Sequence, residues 1–144
     1  MRRKNVLFVC LGNICRSPMA EALAKAYGSD VINAQSAGLT PALSNSPLTR
    51  AVLKEKNIDL GNHMPRALKD VGLDTVDLIV NMSGRKLTST GMKVPVQDWN
   101  VKDPIGAPQT VYREVCAQLE MSVMRLILQI RTGKFDYRAT TPAK

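Results

Sequence analysis

The chain has 144 residues, a length that fits a single domain with its own hydrophobic core. No apolar run reaches the roughly 18 residues of a membrane-spanning helix, and the first apolar run does not lead into a signal-peptide cleavage site, so we expect a cytoplasmic protein without a membrane partner. The net charge of +8 would attract phosphorylated or acidic partners, whereas the scattered basic residues and an aromatic content of only 4% argue against nucleic-acid binding.

The cysteine and histidine counts restrict redox and metal chemistry. Three cysteines cannot all pair with one another, so they suit a reducing compartment better than a disulfide framework. The chain has one His and no C-x-x-C pair, so the usual spacing of zinc ligands is absent. We therefore expect neither a metal nor another cofactor.

The first predicted strand and helix enclose a loop that carries reactive side chains. Residues 6–9 form an apolar run typical of a strand covered on both faces, and residues 19–26 are rich in strong helix formers. The loop between them begins with Cys10 and contains Arg16. Because N–H groups at a helix N-terminus lack partners within the helix, this loop is predicted to bind a phosphate-sized anion.

The rest of the chain alternates predicted strands and helices. The expected strands are 30–34, 76–81 and 94–96, the last with an edge-like proline, and the expected helices are 48–56 and about 108–131. Residues 39–47 are expected to form a loop, and residues 84–90 a helical or irregular segment. The catalytic domain is expected over 1–131, followed by a loose tail over 132–144. The apolar face of the last helix comprises Val111, Val115, Leu119, Val123, Leu126, Leu128 and Ile130.

This alternation predicts an α/β fold, a single three-layer domain with a small parallel sheet of about four strands that is covered on both faces and flanked by helices. Ligands of such sheets bind at the carboxyl ends of the strands, which is where Cys10 lies.

The residue types of the loop indicate a nucleophile and an anion clamp. A helix N-terminus and the Arg16 guanidinium both stabilise a thiolate, which makes Cys10 a candidate nucleophile. A buried structural Cys is the alternative, but burial explains neither Gly12 nor Arg16. Arg16 can hold two phosphate oxygens bidentately, and Gly12 allows either a positive φ or a close approach of the backbone to the anion.

The string CLGNICRSP at residues 10–18, followed by Ala20 and Glu21, resembles the signature of the low-molecular-weight protein tyrosine phosphatases. The length, the loop directly after the first strand, and the Asp103-Pro104 pair before the last helix agree with this resemblance over nearly the whole chain. The family shares its fold with thiol-coupled arsenate reductases. The resemblance implies that the phosphate is bound by Leu11, Gly12, Asn13, Ile14, Cys15 and Arg16.

The resemblance also implies a mechanism. Cys10 would attack phosphorus to give a cysteinyl-phosphate, with Arg16 holding the charge of the transition state. Asp103 would protonate the leaving group and then activate water, although Asp98 is a rival acid. Ser17 would donate to the thiolate and ease its departure, in addition to the helix capping that its position favours. The implied activity is hydrolysis of phosphotyrosine or small aryl phosphate monoesters.

Two further sets of loop residues have open roles. By resemblance, Asn13 holds a strained backbone with help from Ser36 and His63, although a lone His is more often an ordinary surface or core residue. Cys15 is either a small packed side chain or the partner of Cys10 in a reversible disulfide that protects the nucleophile.

Aromatic residues of the phosphatases are missing at several positions. Ile105 and Gly106 follow Asp103-Pro104 in place of tyrosines, and residues 39–45 contain no aromatic residue. Such a cleft favours small aryl phosphates, other phospho-residues or an inorganic oxyanion such as arsenate. The expected partners are therefore a phosphorylated protein or small phosphate ester, with phosphate and arsenate as ligands or inhibitors, bound by a monomer or weak dimer.

Arsenate reductases built on this fold are the chief alternative to a phosphatase. Trp99, shortly before Asp103, resembles their pattern. Residues 81–92 contain no cysteine, so reduction would need an external small thiol that forms a mixed disulfide with Cys10. A non-catalytic oxyanion-binding or phosphopeptide-binding module ranks third, because a binder has no use for a thiolate and an acid together.

Overall fold

A computed structural model describes residues 2–44, 46–87 and 93–136 of the chain. In chain order its elements are strand β1 (Lys4–Cys10), helix α1 (Arg16–Gly28), strand β2 (Ile32–Gly38), helix α2 (Pro47–Lys54), the 3-10 turns Leu68–Asp70 and Leu73–Thr75, strand β3 (Leu78–Asn81), strand β4 (Val96–Asp98) and helix α3 (Gln109–Arg131).

The four strands form one parallel sheet in the order β2-β1-β3-β4. The central strand β1 pairs with β2 from Lys4 to Cys10, so that Cys10 lies opposite Gly38. On its other side, β1 pairs with β3. The predicted α/β fold with a four-stranded parallel sheet is confirmed, and the sequence Val-Leu-Phe-Val of β1 is fully buried because this strand is covered on both faces.

Two apolar clusters cover the two faces of the sheet. Alternate β1 residues, Val6 and Phe8, pack with the buried side chains of α1, α2 and α3. The side chains of Leu7 and Val9 point to the opposite face, where residues of the two 3-10 turns and their neighbours cover them. The second covering layer is thus built from short turns and loops.

The observed element boundaries correct the predicted ones. Strand β2 continues from the predicted 30–34 to Gly38, since its polar second half is paired with β1. Strand β4 is Val96–Asp98 rather than 94–96, and it is an edge strand as expected. Helix α1 begins at Arg16, before the predicted run 19–26. Pro18 does not prevent this, because a proline is tolerated in the first turn, where the N–H groups have no intrahelical partner.

The remaining sequence predictions differ in smaller ways. Leu128, assigned to the buried face of α3, is 57% exposed. Residues 84–87 are irregular, while 88–92 and the tail residues 137–144 lie outside the described ranges. Among the helices that the structure describes, none has the length and apolarity needed to cross a membrane.

The end of β2 braces the loop that follows β1. The backbone N–H groups of Leu39 and Thr40 donate to the carbonyls of Cys10 and Leu11 at 3.1 and 2.8 Å. The contact is so close that a Cβ placed on Gly38 would lie 2.8 Å from the Leu11 carbonyl oxygen and 2.9 Å from the Asn13 nitrogen. Only glycine fits at this position without moving the loop.

We predict that Gly38→Ala destabilises the protein by roughly 1–3 kcal/mol, because the added methyl group overpacks a rigid backbone contact. Urea unfolding measures this loss, and the same displacement of the loop should weaken oxyanion binding.

Gly72→Ala is the matched control. Gly72 is exposed and has a φ of −72°, and its added Cβ would meet nothing closer than a carboxylate oxygen of Asp74 at 3.3 Å. It should change the free energy of unfolding by less than about 0.5 kcal/mol. Equal effects of the two substitutions would contradict the role given to Gly38.

Candidate active site

The loop after β1 forms the floor of an open cleft at the carboxyl end of the sheet. The cleft has a volume of about 370 Å³ and is lined by Cys10, Leu11, Gly12, Ile14, Cys15, Arg16, Thr40, Arg85, Asp103 and Ile105. Among the described backbone hydrogen bonds, no N–H of residues 11, 12, 14, 15 or 16 is a donor. These amides surround the N-terminus of α1, where the helix dipole also favours an anion.

The Cys10 thiol lies at the base of this cleft. Its sulfur is 2.9 Å from the Ser17 hydroxyl oxygen and accepts a hydrogen bond from the backbone N–H of Asn13 at 3.3 Å. When Cys10 is a thiolate, Ser17 donates, so two donors stabilise the negative charge on the sulfur. This arrangement suits a nucleophile that must later act as a leaving group.

Ser17 does not cap helix α1, contrary to the prediction from its position. The N-cap residue is Cys15, which makes no side-chain capping bond, and Ser17 lies inside the first turn. Its hydroxyl also accepts from the Asn13 side-chain amide at 2.8 Å. The side chain therefore serves the sulfur instead of the helix backbone.

Arg16 presents one edge of its guanidinium to the cleft. Its Nη1 donates to the backbone carbonyls of Met82 and Val101 at 2.6 and 3.2 Å, which fixes the orientation of the side chain. Its Nη2 lies 3.3 Å from a carboxylate oxygen of Asp103, and its buried Nε has no hydrogen-bond partner. An oxyanion bound at the Nε and Nη2 edge would satisfy this orphaned donor with bidentate geometry.

Asp103 stands at the mouth of the cleft beside Arg16. Its side chain is 36% exposed, and its other oxygen accepts from the N–H of Ile105 at 3.1 Å. The rival acid Asp98 ends β4, accepts from the Asn81 amide and is absent from the lining of the cleft. Of the two, Asp103 alone is placed where it could exchange a proton with a ligand of Cys10.

Asn13 ties the loop to its surroundings. It is fully buried and has a φ of 55°, so the left-handed residue of the loop is Asn13 and not Gly12, whose φ is not positive. Its amide nitrogen donates to the hydroxyls of Ser17 and Ser36 at 2.8 and 3.0 Å. Its amide oxygen accepts from the backbone N–H of Arg66 at 3.0 Å.

His63 lies against the other side of Asn13. Its Nε2 is 3.2 Å from the Asn13 carbonyl oxygen, which can only accept, so this nitrogen carries the proton. Ser36 donates its hydroxyl to a carboxylate oxygen of Glu21, which also lies 3.8 Å from Nδ1 of His63. The structure thus brings together the three residues expected to support the loop and adds Glu21.

The Cys15 thiol is hydrogen-bonded to Tyr112 and not to Cys10. Its thiol donates to the Tyr112 hydroxyl at 3.6 Å, and Ser46 donates to the same hydroxyl at 3.3 Å. Burial raises the pKa of Cys15, so this side chain stays a thiol at neutral pH. Cys10 and Cys15 are both unpaired in this structure.

Three residues of the site were not predicted from the sequence. Thr49 donates its hydroxyl to the Ile14 carbonyl at 2.9 Å, while Thr40 and Arg85 line the cleft. Arg85 follows the carboxyl end of β3, so the rule that ligands bind at strand ends could have flagged it. No local pattern marks Thr49 or Thr40, because their contacts join parts of the chain that are distant in sequence.

Comparison with known proteins identifies the family. The sequence model described as low molecular weight phosphotyrosine protein phosphatase matches residues 5–134. The chain belongs to this family. It is accordingly an enzyme of the low-molecular-weight phosphatase superfamily, which agrees with the thiol, clamp and carboxylate found in the cleft.

Individual relatives of this family member have different named activities. The glutaredoxin arsenate reductase of Synechocystis sp. is 31% identical, and the match covers 88% of this chain and 98% of the relative. A solved arsenate reductase in the phosphate binding state is 31% identical with a TM-score of 0.77, and covers 88% of this chain and 98% of its own. The YwlE arginine phosphatase of Geobacillus stearothermophilus is 30% identical with a TM-score of 0.75, and covers 91% and 95%.

The hydrogen bonds of Asn13 lead to a prediction for this member of the low-molecular-weight phosphatase family. Asn13→Ala should destabilise the protein by about 2–4 kcal/mol, because the hydroxyls of Ser17 and Ser36 and the N–H of Arg66 each lose a hydrogen bond. It should also slow any reaction that depends on Cys10. Thermal unfolding and a turnover assay measure the two effects.

Asn57→Ala separates the network from backbone strain. Asn57 has a φ of 60°, close to that of Asn13, but its side chain is exposed. This variant should lose only about 1 kcal/mol, the cost of a left-handed alanine, and keep full turnover. A similar loss in both variants would show that strain and not the network dominates.

Proposed function

We propose that the protein is an arsenate reductase that attacks arsenate with Cys10 and takes its reducing thiols from outside the chain. The lining of the cleft carries this proposal: it presents the unpartnered Nε of Arg16 to an oxyanion and, among the described residues, has no aromatic ring to hold a phenyl group. The named arsenate reductases among the relatives support this alternative over the phosphotyrosine phosphatase expected first. A reaction driven by reduced small thiols also fits the expected cytoplasmic location.

Arsenate would bind to the loop amides and to the edge of Arg16 whose Nε has no hydrogen-bond partner. The tetrahedral oxyanion accepts from the loop amides, and the Nε and Nη2 groups of Arg16 hold two of its oxygens. Asp103 currently pairs with the same Nη2, so binding moves its carboxylate toward the outward-facing oxygen of the ligand. There its carboxyl group would lie within reach of the oxygen that leaves.

In the first step, the Cys10 thiolate attacks arsenic. A sulfur–arsenic bond forms, one arsenic–oxygen bond breaks, and the departing oxygen leaves as water after Asp103 delivers a proton. Arg16 and the loop amides hold the charge that accumulates on the remaining oxygens. Arsenic is still pentavalent at this stage.

In the second step, an external thiolate attacks the sulfur of Cys10. A disulfide bond forms, the sulfur–arsenic bond breaks, and its electron pair stays on arsenic, which leaves as trivalent arsenite. A second external thiol then reduces the mixed disulfide and restores Cys10. Two thiols supply the two electrons and become one disulfide. We assign this role to an outside thiol because burial raises the pKa of Cys15 and keeps it protonated.

Hydrolysis of phosphate monoesters is the second candidate. Asp103 beside Arg16 favours it, since a hydrolase needs a base for the water that attacks cysteinyl-phosphate, and the likeness to an arginine phosphatase supports it. The third reading, a non-catalytic oxyanion or phosphopeptide binder, has the least support, because Cys10, Arg16 and Asp103 are assembled in one cleft.

The test measures two products from the same protein: arsenite from arsenate with glutathione, and phosphate from an aryl phosphate. We expect arsenite formation that depends on both arsenate and thiol and that falls by at least about 100-fold in Cys10→Ser. Asp103→Asn should fall by about 10- to 100-fold. Asp98→Asn, a carboxylate outside the cleft, is the control and should stay near the wild-type rate.

Two outcomes would contradict the proposal. Arsenite formation that persists in Cys10→Ser would remove the cysteine mechanism. No arsenite with any thiol, together with Cys10-dependent phosphate release, would assign the site to the phosphatase candidate.

A further inference from the structure

A second arginine stands at the cleft, and the mechanism above does not use it. Arg85 lines the same cleft as Cys10, Arg16 and Asp103, but it is exposed whereas Arg16 is buried. Arg16 faces the oxyanion position through its orphaned Nε. Arg85 therefore stands at the exposed rim of the cleft, whereas Arg16 lies at its buried floor.

The charge of Arg85 is free to meet a ligand. The ion pairs of the described residues include Arg16 with Asp103, and none of them includes Arg85. No hydrogen bond from its guanidinium is found within the described ranges either. An exposed guanidinium without a carboxylate partner at the mouth of a cleft is suited to bind an anionic group of the incoming molecule.

The backbone at Arg85 is held in place by a buried amide. Asn81, at the end of β3 and only 3% exposed, donates to the Arg85 carbonyl at 2.7 Å and to Asp98 at 2.8 Å. Its amide oxygen accepts from both the N–H and the hydroxyl of Ser83, whose hydroxyl oxygen accepts from the N–H of Arg85. The sheet thus positions the arginine backbone at the rim of the cleft.

The chemistry of the two reactants decides which one meets Arg85. Arsenate has a single anionic centre, and the loop and Arg16 already surround it. A molecule that attacks Cys10 must instead enter through the open side of the cleft, whose exposed lining includes Arg85. We propose that Arg85 binds a carboxylate of the low-molecular-weight thiol that reacts at Cys10, and so makes the enzyme selective for carboxylate-bearing thiols. This inference rests on the proposed function and names the class of its second substrate.

Thiol–disulfide exchange at Cys10 tests this selectivity without arsenate. The Cys10 thiolate attacks a probe disulfide, a mixed disulfide forms, and the probe thiolate leaves and is measured by absorbance. The anionic probe is 5,5′-dithiobis(2-nitrobenzoate), and the neutral probe is 4,4′-dithiodipyridine. Rates in the Cys10→Ser protein are subtracted to remove reaction at the other two cysteines.

We expect Arg85→Gln to slow the anionic probe by about 5-fold and the neutral probe by less than about 1.5-fold, the size of one charge-assisted contact. Arg85→Lys should recover part of the loss. High salt should remove the difference between wild type and Arg85→Gln, because it screens an exposed charge.

Lys86→Gln is the control for net charge. Lys86 is also exposed and adjacent in sequence, but it is not part of the cleft lining. It should leave both rates unchanged. Equal slowing of both probes by Arg85→Gln, or an equal effect of Lys86→Gln on the anionic probe, would overturn the inference.

Arsenate turnover gives the second readout. With glutathione as the thiol, Arg85→Gln should lower kcat/KM for the thiol by about 5-fold, and with neutral 2-mercaptoethanol it should not. Absence of arsenate turnover in the wild type would refute the proposed function alone, because the probe rates decide the carboxylate site independently. If the wild type turns over arsenate but Arg85→Gln slows both probes equally, only the role of Arg85 is refuted.

Discussion

The structure of the site depends on the hydrogen bonds of one buried amide, that of Asn13. A loop that turns its N–H groups toward an anion cannot use them to hold its own shape, so other parts of the molecule must fix it. Asn13 provides this support by joining the Ser17 hydroxyl beside the Cys10 sulfur, the middle of β2 and the segment that contains Arg66. The backbone of β2 approaches so closely at Gly38 that the loop has little room to move. The anion site is therefore organised before a ligand arrives.

Charge at the cleft is divided between buried and exposed groups. Arg16 is buried, is fixed by two backbone carbonyls, and shares one amino group with Asp103, so its orientation does not depend on a ligand. Arg85 is exposed and unpaired among the described ion pairs, so it can bind groups that differ from one reactant to another. In the proposed function, the buried arginine binds the tetrahedral oxyanion and the exposed arginine selects the molecule that approaches it.

Much of this could be predicted from the sequence where a physical signal is local. The fold followed from the apolar run of β1, the helix formers after the loop and the long amphipathic α3. The string at residues 10–18 singled out Cys10 and Arg16, which the structure places in one cleft. The second half of β2 was missed, because Gln35 and Ser36 give it a polar pattern that only pairing with β1 explains. The role of Ser17 was predicted in part: its position suggested a helix cap, whereas its hydroxyl faces the Cys10 sulfur. Thr49 and Thr40 meet the loop across long sequence separations, which no local pattern records, whereas the position of Arg85 after β3 could have flagged it.

The most direct test is mass spectrometry of the intact protein and of its peptides after reaction with arsenate and a limiting amount of glutathione. We expect one glutathionyl group on Cys10 that forms only when arsenate is present, because the mixed disulfide arises by displacement of arsenic from that sulfur. Cys15 and Cys116 should remain unmodified, since burial raises the pKa of both thiols, that of Cys116 to about 11. A glutathionyl group that forms equally without arsenate, or that lies on Cys15 or Cys116, would contradict the account.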